Sequence, residues 1–340
     1  MKVKIPQLST ANAIDFCSTL HELEYDDHYY FDVSDVTNYE PFPMLLTSAA
    51  IRQFKESWDW IGSEYQLQYN EDRNFSYACH MGYFKSAGFP FGNDPGEAYG
   101  SHTYIPLTKI NVNDWIKAAI DNGDFSDQVD IIEKESKKLA RVLGQQNYEL
   151  TKLLQYLIRE AIRNVPEHAG TDEFWICGQY WDNRTGKPAE IAILDEGCGI
   201  MSSLQTNRSH REYITTNAEA LCWAVKPGVS ASFNPGRSNT TINPNDNSGY
   251  GLFIISEICR LSNGCMTLLS NEDCFCVFPN YSSMVKTSFR GTALGIKLYT
   301  EQINSYQEMI DKARRQGEET AKTIKNAFKE ASVPSKGLIY

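Results

Sequence analysis

The stretch that most constrains this 340-residue chain is Ile191-Ala192-Ile193-Leu194, an apolar run that stops on Asp195-Glu196-Gly197-Cys198-Gly199. An unbroken apolar run bounded by a turn signal predicts a buried strand. An aspartate at the strand's end has a carboxylate placed to accept a hydrogen bond from an exocyclic amine such as that of adenine. The glycines that follow let backbone pass close to a flat ring without a Cβ in the way. By itself the pattern also fits a plain strand-to-turn junction, so its meaning depends on what else the chain supplies.

Three further segments bear on it. Glu160-Ala161-Ile162-Arg163-Asn164 lies in an apolar helical pattern, and residues four apart share a helix face. That spacing sets a carboxylate beside an amide oxygen. The oxygen suits Mg2+, a hard cation that keeps several waters, and the carboxylate can polarise an attacking water or hydroxyl. Exposed helices also carry Glu and Asn four apart by chance. Asn247-Ser248-Gly249-Tyr250-Gly251-Leu252 opens a helical segment through Phe253 to Cys259. A glycine-rich turn there either offers N–H groups and the positive dipole end to phosphates or is an ordinary helix start. Arg290-Gly291-Thr292-Ala293-Leu294-Gly295 begins a strand with a threonine able to bond a base or the Asp195 carboxylate, although threonine favours strands in any case.

In order and spacing these four segments resemble the GHKL superfamily, named for gyrase, Hsp90, histidine kinases and MutL. The family's N box is similar to Glu160 to Asn164. Its Asp-x-Gly-x-Gly box is complete in Asp195, Gly197 and Gly199. Its second glycine box resembles Gly249-Tyr250-Gly251-Leu252, the stretch on to Asn263-Gly264 is similar to the helix and turn after it, and its Gly-Thr box resembles Gly291-Thr292. The likeness covers roughly 145–299. It implies an α+β chain with a Bergerat-type sandwich, a mixed sheet with helices on one face, that binds ATP and Mg2+. Asn164 would then hold the metal and Glu160 would act as general base. Asp195 would take adenine, with Gly197 in the same box, Gly199 against the ring and Thr292 nearby. Gly249, Tyr250, Gly251 and Leu252 would form the phosphate turn. His168, four residues past Asn164, either faces the phosphates or is a surface imidazole at a helix end. Residues 200–248, polar and loop-rich, would form a lid. Lys226 and Arg237 lie in it, read first as solvated charges and otherwise as contacts to a γ-phosphate.

The pattern along the chain predicts strands at Tyr29 to Val33, Tyr104 to Leu107, Glu173 to Trp181, Glu190 to Leu194, Cys265 to Leu269 and Ala293 to Tyr299. Helices are predicted from Met44 to Trp58, over two stretches between 113 and 165 broken at Gly144 to Asn147, and from Leu252 to Leu261. Pro41 and Pro43 read as a turn, Ser76 to Phe84 as strand or helix, and Asp182 to Gly186 as a hairpin-like turn. Four units follow: 1–112, a helical connector over 113–148, an ATP-binding unit over 149–300, and a helix and tail over 301–340. The tail reads as a solvated or partner-packing helix. The segment from Phe31 to Ile51 resembles a STAS-like domain, the fold of anti-sigma-factor antagonists. In that family a phosphorylatable serine opens the helix. Glu40-Pro41-Phe42-Pro43 occupies the equivalent loop and Ser48 falls inside the helix, so a scaffold role is expected for 1–112.

Composition narrows the function. The formal charge of -11 repels phosphate backbones and argues against direct nucleic-acid binding. No apolar run of about 18 residues predicts a membrane span, and the first residues lack a signal peptide's apolar core. The nine cysteines are scattered without a Cys-x-x-Cys pair, which reads as reduced thiols in a cytoplasmic protein. No phosphoacceptor-type histidine helix precedes the pocket, which disfavours histidine autokinase activity. Three readings stay open: slow ATP hydrolysis that drives lid closure and docking of a protein partner or a second copy, Ser/Thr kinase activity like that of anti-sigma-factor kinases, and nucleotide sensing without catalysis. The pairing of antagonist-like and ATPase-like halves suggests bacterial signalling or defence, by analogy of fold alone.

Overall fold

A computed structural model describes residues 1–58, 62–98, 102–231, 248–332 and 335. The apolar run is strand β6 (Pro188–Asp195), buried at every position. It lies inside a sheet whose other strands are β4 (Tyr104–Asn111), β5 (Glu173–Tyr180), β7 (Cys265–Ser270), β8 (Asp273–Val277), β9 (Ser282–Lys286) and β10 (Thr292–Tyr299). Among the described residues this sheet has seven strands in the order β4-β5-β6-β10-β7-β8-β9. Every pairing in it is antiparallel, which corrects the mixed sheet expected from the sequence. Short turns join β5 to β6, β7 to β8 and β8 to β9, and such connections produce antiparallel neighbours.

A strand with no polar alternation is buried on both faces, and β6 alternates between two cores. Ile191 and Ile193 join a core with Leu294 and Ile296 of β10 and with Leu154, Leu157 and Ile158 of helix α7 (Tyr148–Asn164). Ala192 and Leu194 join another with Leu45, Leu46 and Ala49 of helix α2 (Pro41–Trp58). The sheet is therefore covered on both sides, not on one. Glycine at 295 makes room for α2, since a Cβ there would lie 2.7 Å from the Phe42 ring. Helix α2 also begins earlier than expected. Pro41 and Pro43 sit in its first turn, where a missing N–H costs nothing, and the Phe42 N–H donates to the buried Glu190 Oε1 of β6 at 2.9 Å.

The N-terminal region holds a parallel three-stranded sheet of β1 (Lys2–Lys4), β2 (His28–Asp32) and β3 (Glu64–Gln68), with helix α1 (Thr10–His21) between the first two. Ser48 is buried within α2 and its hydroxyl donates to the Leu45 carbonyl, so it lies inside the helix as read. The stretch 76–84 is helical, in α3 (Arg73–His80) and α4 (Tyr83–Ser86). β4 falls inside the first unit drawn from the sequence, yet it pairs with β5 of the large sheet. Helices α5 (Val112–Asp121) and α6 (Gln128–Leu143) follow. α6 is more than a connector, because Ile132, Ala140 and Leu143 enter the α7 core. The expected break before α7 is present, with Gln145 and Gln146 at φ 50° and 63° and Asn147 capping the Leu150 N–H.

The stretch read as a loop-rich lid contains helices α8 (Gly199–Gln205), α9 (Arg208–Arg211) and α10 (Asn217–Ala224). Residues 232–247, with Arg237, lie outside the described residues. Helix α11 (Gly251–Leu261) leads into β7. The last helix, α12 (Tyr306–Ala321), buries Ile310, Ala313 and Ala321 in the core shared by α7 and α11. No described helix is long and apolar enough to cross a membrane.

Candidate functional site

β6 delivers Asp195 to one end of the large sheet, and the antiparallel register sets Thr292 of β10 directly opposite it. Asp195 is 7% exposed. Its Oδ1 accepts the Gly197 N–H at 3.0 Å. Burial pushes its carboxyl up to about 6 from an ordinary 3.8, the Gly197 bond opposes that rise, and the neighbouring Glu196 charge adds to it. Thr292 is half-buried and also faces Ser270 of β7. The Ser270 hydroxyl accepts the Ile200 N–H at 2.9 Å and donates to the Gly291 carbonyl at 3.2 Å, which ties the Asp195 loop to the Thr292 loop.

These groups open onto a cleft between the sheet end, α7, α8 and α11. Its walls are apolar, built from Ala161, Val165, Ile193, Leu268 and Leu294, and a few polar groups converge in it, as in small-molecule sites generally. Of the residues singled out in the sequence, Asn164, His168, Asp195, Gly199, Gly249, Gly251, Leu252 and Thr292 all line it. Asn164 is the last residue of α7 and is half-buried. A π-helical turn, Val165–Ala169, carries the chain past Pro166 and brings His168 to the same cleft. Burial holds the His168 imidazole below its usual value, Arg163 adds to that, and Glu167 opposes it.

Glu160, Gly197 and Tyr250 stand differently. Glu160 is 5% exposed and does not line the cleft. Its Oε1 accepts from Arg159 Nε at 3.2 Å and Nη2 at 2.7 Å, and Arg159 also binds Glu133 at 3.0 Å. The other oxygen, Oε2, sits under the start of α11, where a Cβ on Gly251 would lie 2.8 Å from it. Helical spacing set Glu160 beside Asn164 as a general base; here Asn164 lines the cleft and Glu160 does not, and an arginine one residue away takes up its charge. Tyr250 turns away from the turn it was assigned to. Its ring is fully buried in the α7–α11 core and its hydroxyl donates to the Phe328 carbonyl at 3.0 Å. Gly197 packs against the π-helical turn, where a Cβ would lie 2.2 Å from the Ala169 carbonyl oxygen.

The glycine at 199 has a similar cause. Its φ is +77°, and a Cβ there would meet the Asn271 amide at 2.4 Å, so it fits the chain's own packing at the cleft edge. Sequence reading missed Ser270, Asn271, Val229 and Ser230. Ser270-Asn271 closes a predicted strand with a polar pair, a signal that was there to be read, whereas Val229 and Ser230 carry none. Lys226 is half-buried with its ammonium 3.8 Å from the centre of the Trp223 ring. It does not line the cleft.

Among the described residues, no cluster of three or more His, Cys, Asp or Glu is placed to hold a metal ion. Asn164 and Asp195, which line the cleft, carry side-chain oxygens, the hard donor type that Mg2+ takes. No protein-family model matches the chain, and neither a curated protein nor a solved structure matches it.

Proposed function

We propose that the chain binds ATP with Mg2+ in this cleft, as the GHKL resemblance implies. The observation that carries the reading is convergence. Asp195 and Thr292 face each other at a sheet end, Asn164 ends a helix, and the α11 N-terminus opens at Gly249 to Leu252, all lining one apolar-walled cleft. Adenine would lie between the apolar walls with its amine on Asp195. The phosphates would meet the α11 N-terminus, whose N–H groups and dipole favour anions. Asn164 would share the metal with them.

Turnover would drive lid closure and docking of a partner or a second copy. A second reading has an observation of its own: the Glu160 carboxylate is engaged by Arg159 and lies behind Gly251, which favours nucleotide binding without hydrolysis. Calorimetry of Mg-ATP against wild type, Asp195→Ala and Asn164→Ala tests binding. Wild-type heat that is lost in the Asp195 variant and loses its Mg2+ dependence in the Asn164 variant is expected. Absence of heat from wild type refutes the reading. Phosphate release that depends on Glu160 then selects hydrolysis, labelled phosphate on a protein substrate selects kinase activity, and binding with neither selects sensing.

A further inference from the structure

The two loops that carry Asp195 and Thr292 are held from outside the cleft by one face of α2. Gln53 and Arg52 lie half-buried on that face. The Gln53 amide accepts the Arg290 N–H at 3.1 Å, and its Nε2 donates to the Arg290 carbonyl at 2.8 Å and to Glu196 Oε1 at 3.0 Å. Arg52 Nη2 meets Glu196 Oε2 at 3.0 Å. The same guanidinium is fixed on the Ser86 carbonyl and stacked 4.5 Å over the Trp175 ring. Arg290 in turn reaches Glu56 of α2 at 3.0 Å. Glu196 follows Asp195 directly, and Arg290 stands two residues before Thr292. A single glutamine side chain thus spans the two loops, at residues more than 230 positions away in one case.

The loops are also tight against each other. Gly291 has φ +118°, and a Cβ there would lie 2.1 Å from the Asp195 carbonyl oxygen. A shift of either loop therefore moves both Asp195 and Thr292. We propose that Gln53, assisted by Arg52, is a positioning residue that sets the Asp195–Thr292 spacing and makes the N-terminal region a determinant of base selectivity in the cleft. The proposal rests on the nucleotide reading for its ligand and on geometry alone for the clamp. Gln53 touches neither cleft nor ligand and acts through Glu196 and Arg290. The phosphate end, at α11, has no part in the clamp.

The test compares full-length wild type, Gln53→Ala and a control, Tyr77→Phe. The control removes another hydrogen bond between the N-terminal region and the large sheet, from the Tyr77 hydroxyl to Gln179 Oε1, at residues outside both loops. Amide hydrogen exchange is read over 195–200 and 290–292, and ATP and GTP affinities are measured by calorimetry. In Gln53→Ala, exchange speeds up in both segments, ATP affinity falls by about 2- to 30-fold, the range of coupling carried through packed contacts, and the ratio of ATP to GTP affinity narrows. The control leaves the ratio and both segments unchanged. Unchanged exchange in Gln53→Ala overturns the clamp. Faster exchange with an unchanged ratio overturns its role in base selection. A wild type that binds no ATP refutes the nucleotide reading, and exchange then decides the clamp independently.

Discussion

Asp195→Asn separates what the fold wants at this position from what the site wants. The Asp195 carboxyl stands at about 6 in the folded chain against an ordinary 3.8. A raised acid means that the folded state holds the proton more tightly than the unfolded state. Its burial cost is therefore small at low pH, grows as pH rises through the window from 3.8 to 6, and is constant above it. Two pKa units correspond to roughly 3 kcal/mol. Linkage gives about 3 kcal/mol at pH 8, about 1.5 kcal/mol at pH 5 and below about 1 kcal/mol at pH 4. Asparagine keeps an oxygen for the Gly197 N–H and has no charge to bury. The variant is expected to be more stable than wild type by up to about 3 kcal/mol at pH 8, with the gain shrinking toward pH 4. With a urea slope of about 3 kcal/mol/M, the midpoint at pH 8 rises by about 1 M. Urea titrations of both proteins at pH 4, 5 and 8, alongside ATP calorimetry at pH 8, check this. The variant should gain stability and lose ATP affinity together. A gain independent of pH, or a loss of stability at pH 8, refutes the argument that a buried charge is being tolerated for use.

Three other outcomes follow from the same geometry. Arg159→Met leaves the buried Glu160 carboxylate unpaired and should cost about 3–5 kcal/mol, whereas Glu160→Gln, which leaves Arg159 its Glu133 partner, should cost about 1 kcal/mol; equal losses in urea titrations would contradict the pairing. Gly249→Ala forces a φ of +71° on a residue whose Cβ would lie 2.1 Å from the Val229 carbonyl oxygen, so a loss of about 1–3 kcal/mol and faster exchange at 228–231 are expected, and an unchanged melting temperature argues against this backbone. Cys198 and Cys222 are the exposed thiols and Cys17 is buried and pushed up to about 12; iodoacetamide mapping by mass spectrometry should find the first two modified ahead of Cys17. Mg-ATP should slow Cys198, which is flanked by the cleft residue Gly199, while Cys222 stays unprotected.

The sequence showed most of this where local chemistry decides. The strand at 191–194, the break before α7, and the turn at 182–186 follow from apolar runs and from residues suited to turns. Two-faced burial of β6 was written in its lack of alternation, but what covers the second face was not. Phe42 against Gly295 and Glu190 under the Phe42 N–H join positions more than 100 residues apart, and no periodicity announces such a contact. The same holds in the site. Spacing brought Asn164, Asp195, Gly249 and Thr292 to one cleft, yet it could not say that Arg159 would hold Glu160 or that the Tyr250 hydroxyl would find Phe328, 78 positions on. The glycines were singled out for close approach of backbone to a ring and to phosphates. At 197 and 199 the neighbour that excludes a Cβ is this chain's own Ala169 or Asn271, a cause that only tertiary structure supplies.

How this fold treats its buried acids points to the cleft on independent grounds. Glu190 is buried under desolvation that raises its carboxyl, and Lys297 stands 3.4 Å away to offset it, with the Phe42 N–H as a second donor. Asp273 is 1% exposed and meets Lys286 at 2.9 Å. Glu160 has Arg159 at 2.7 Å. Asp195, at 7% exposed, is only slightly less buried, and among the described residues no ion pair reaches it; a backbone N–H is its hydrogen-bond donor and a like charge, Glu196, lies next to it. Asparagine would satisfy the same N–H without the charge. An acid kept uncompensated beside a threonine, in a cleft with apolar walls, is the kind of strained titratable group that gathers at functional sites. On the nucleotide reading we propose, the exocyclic amine of a base would supply the donor that offsets its burial.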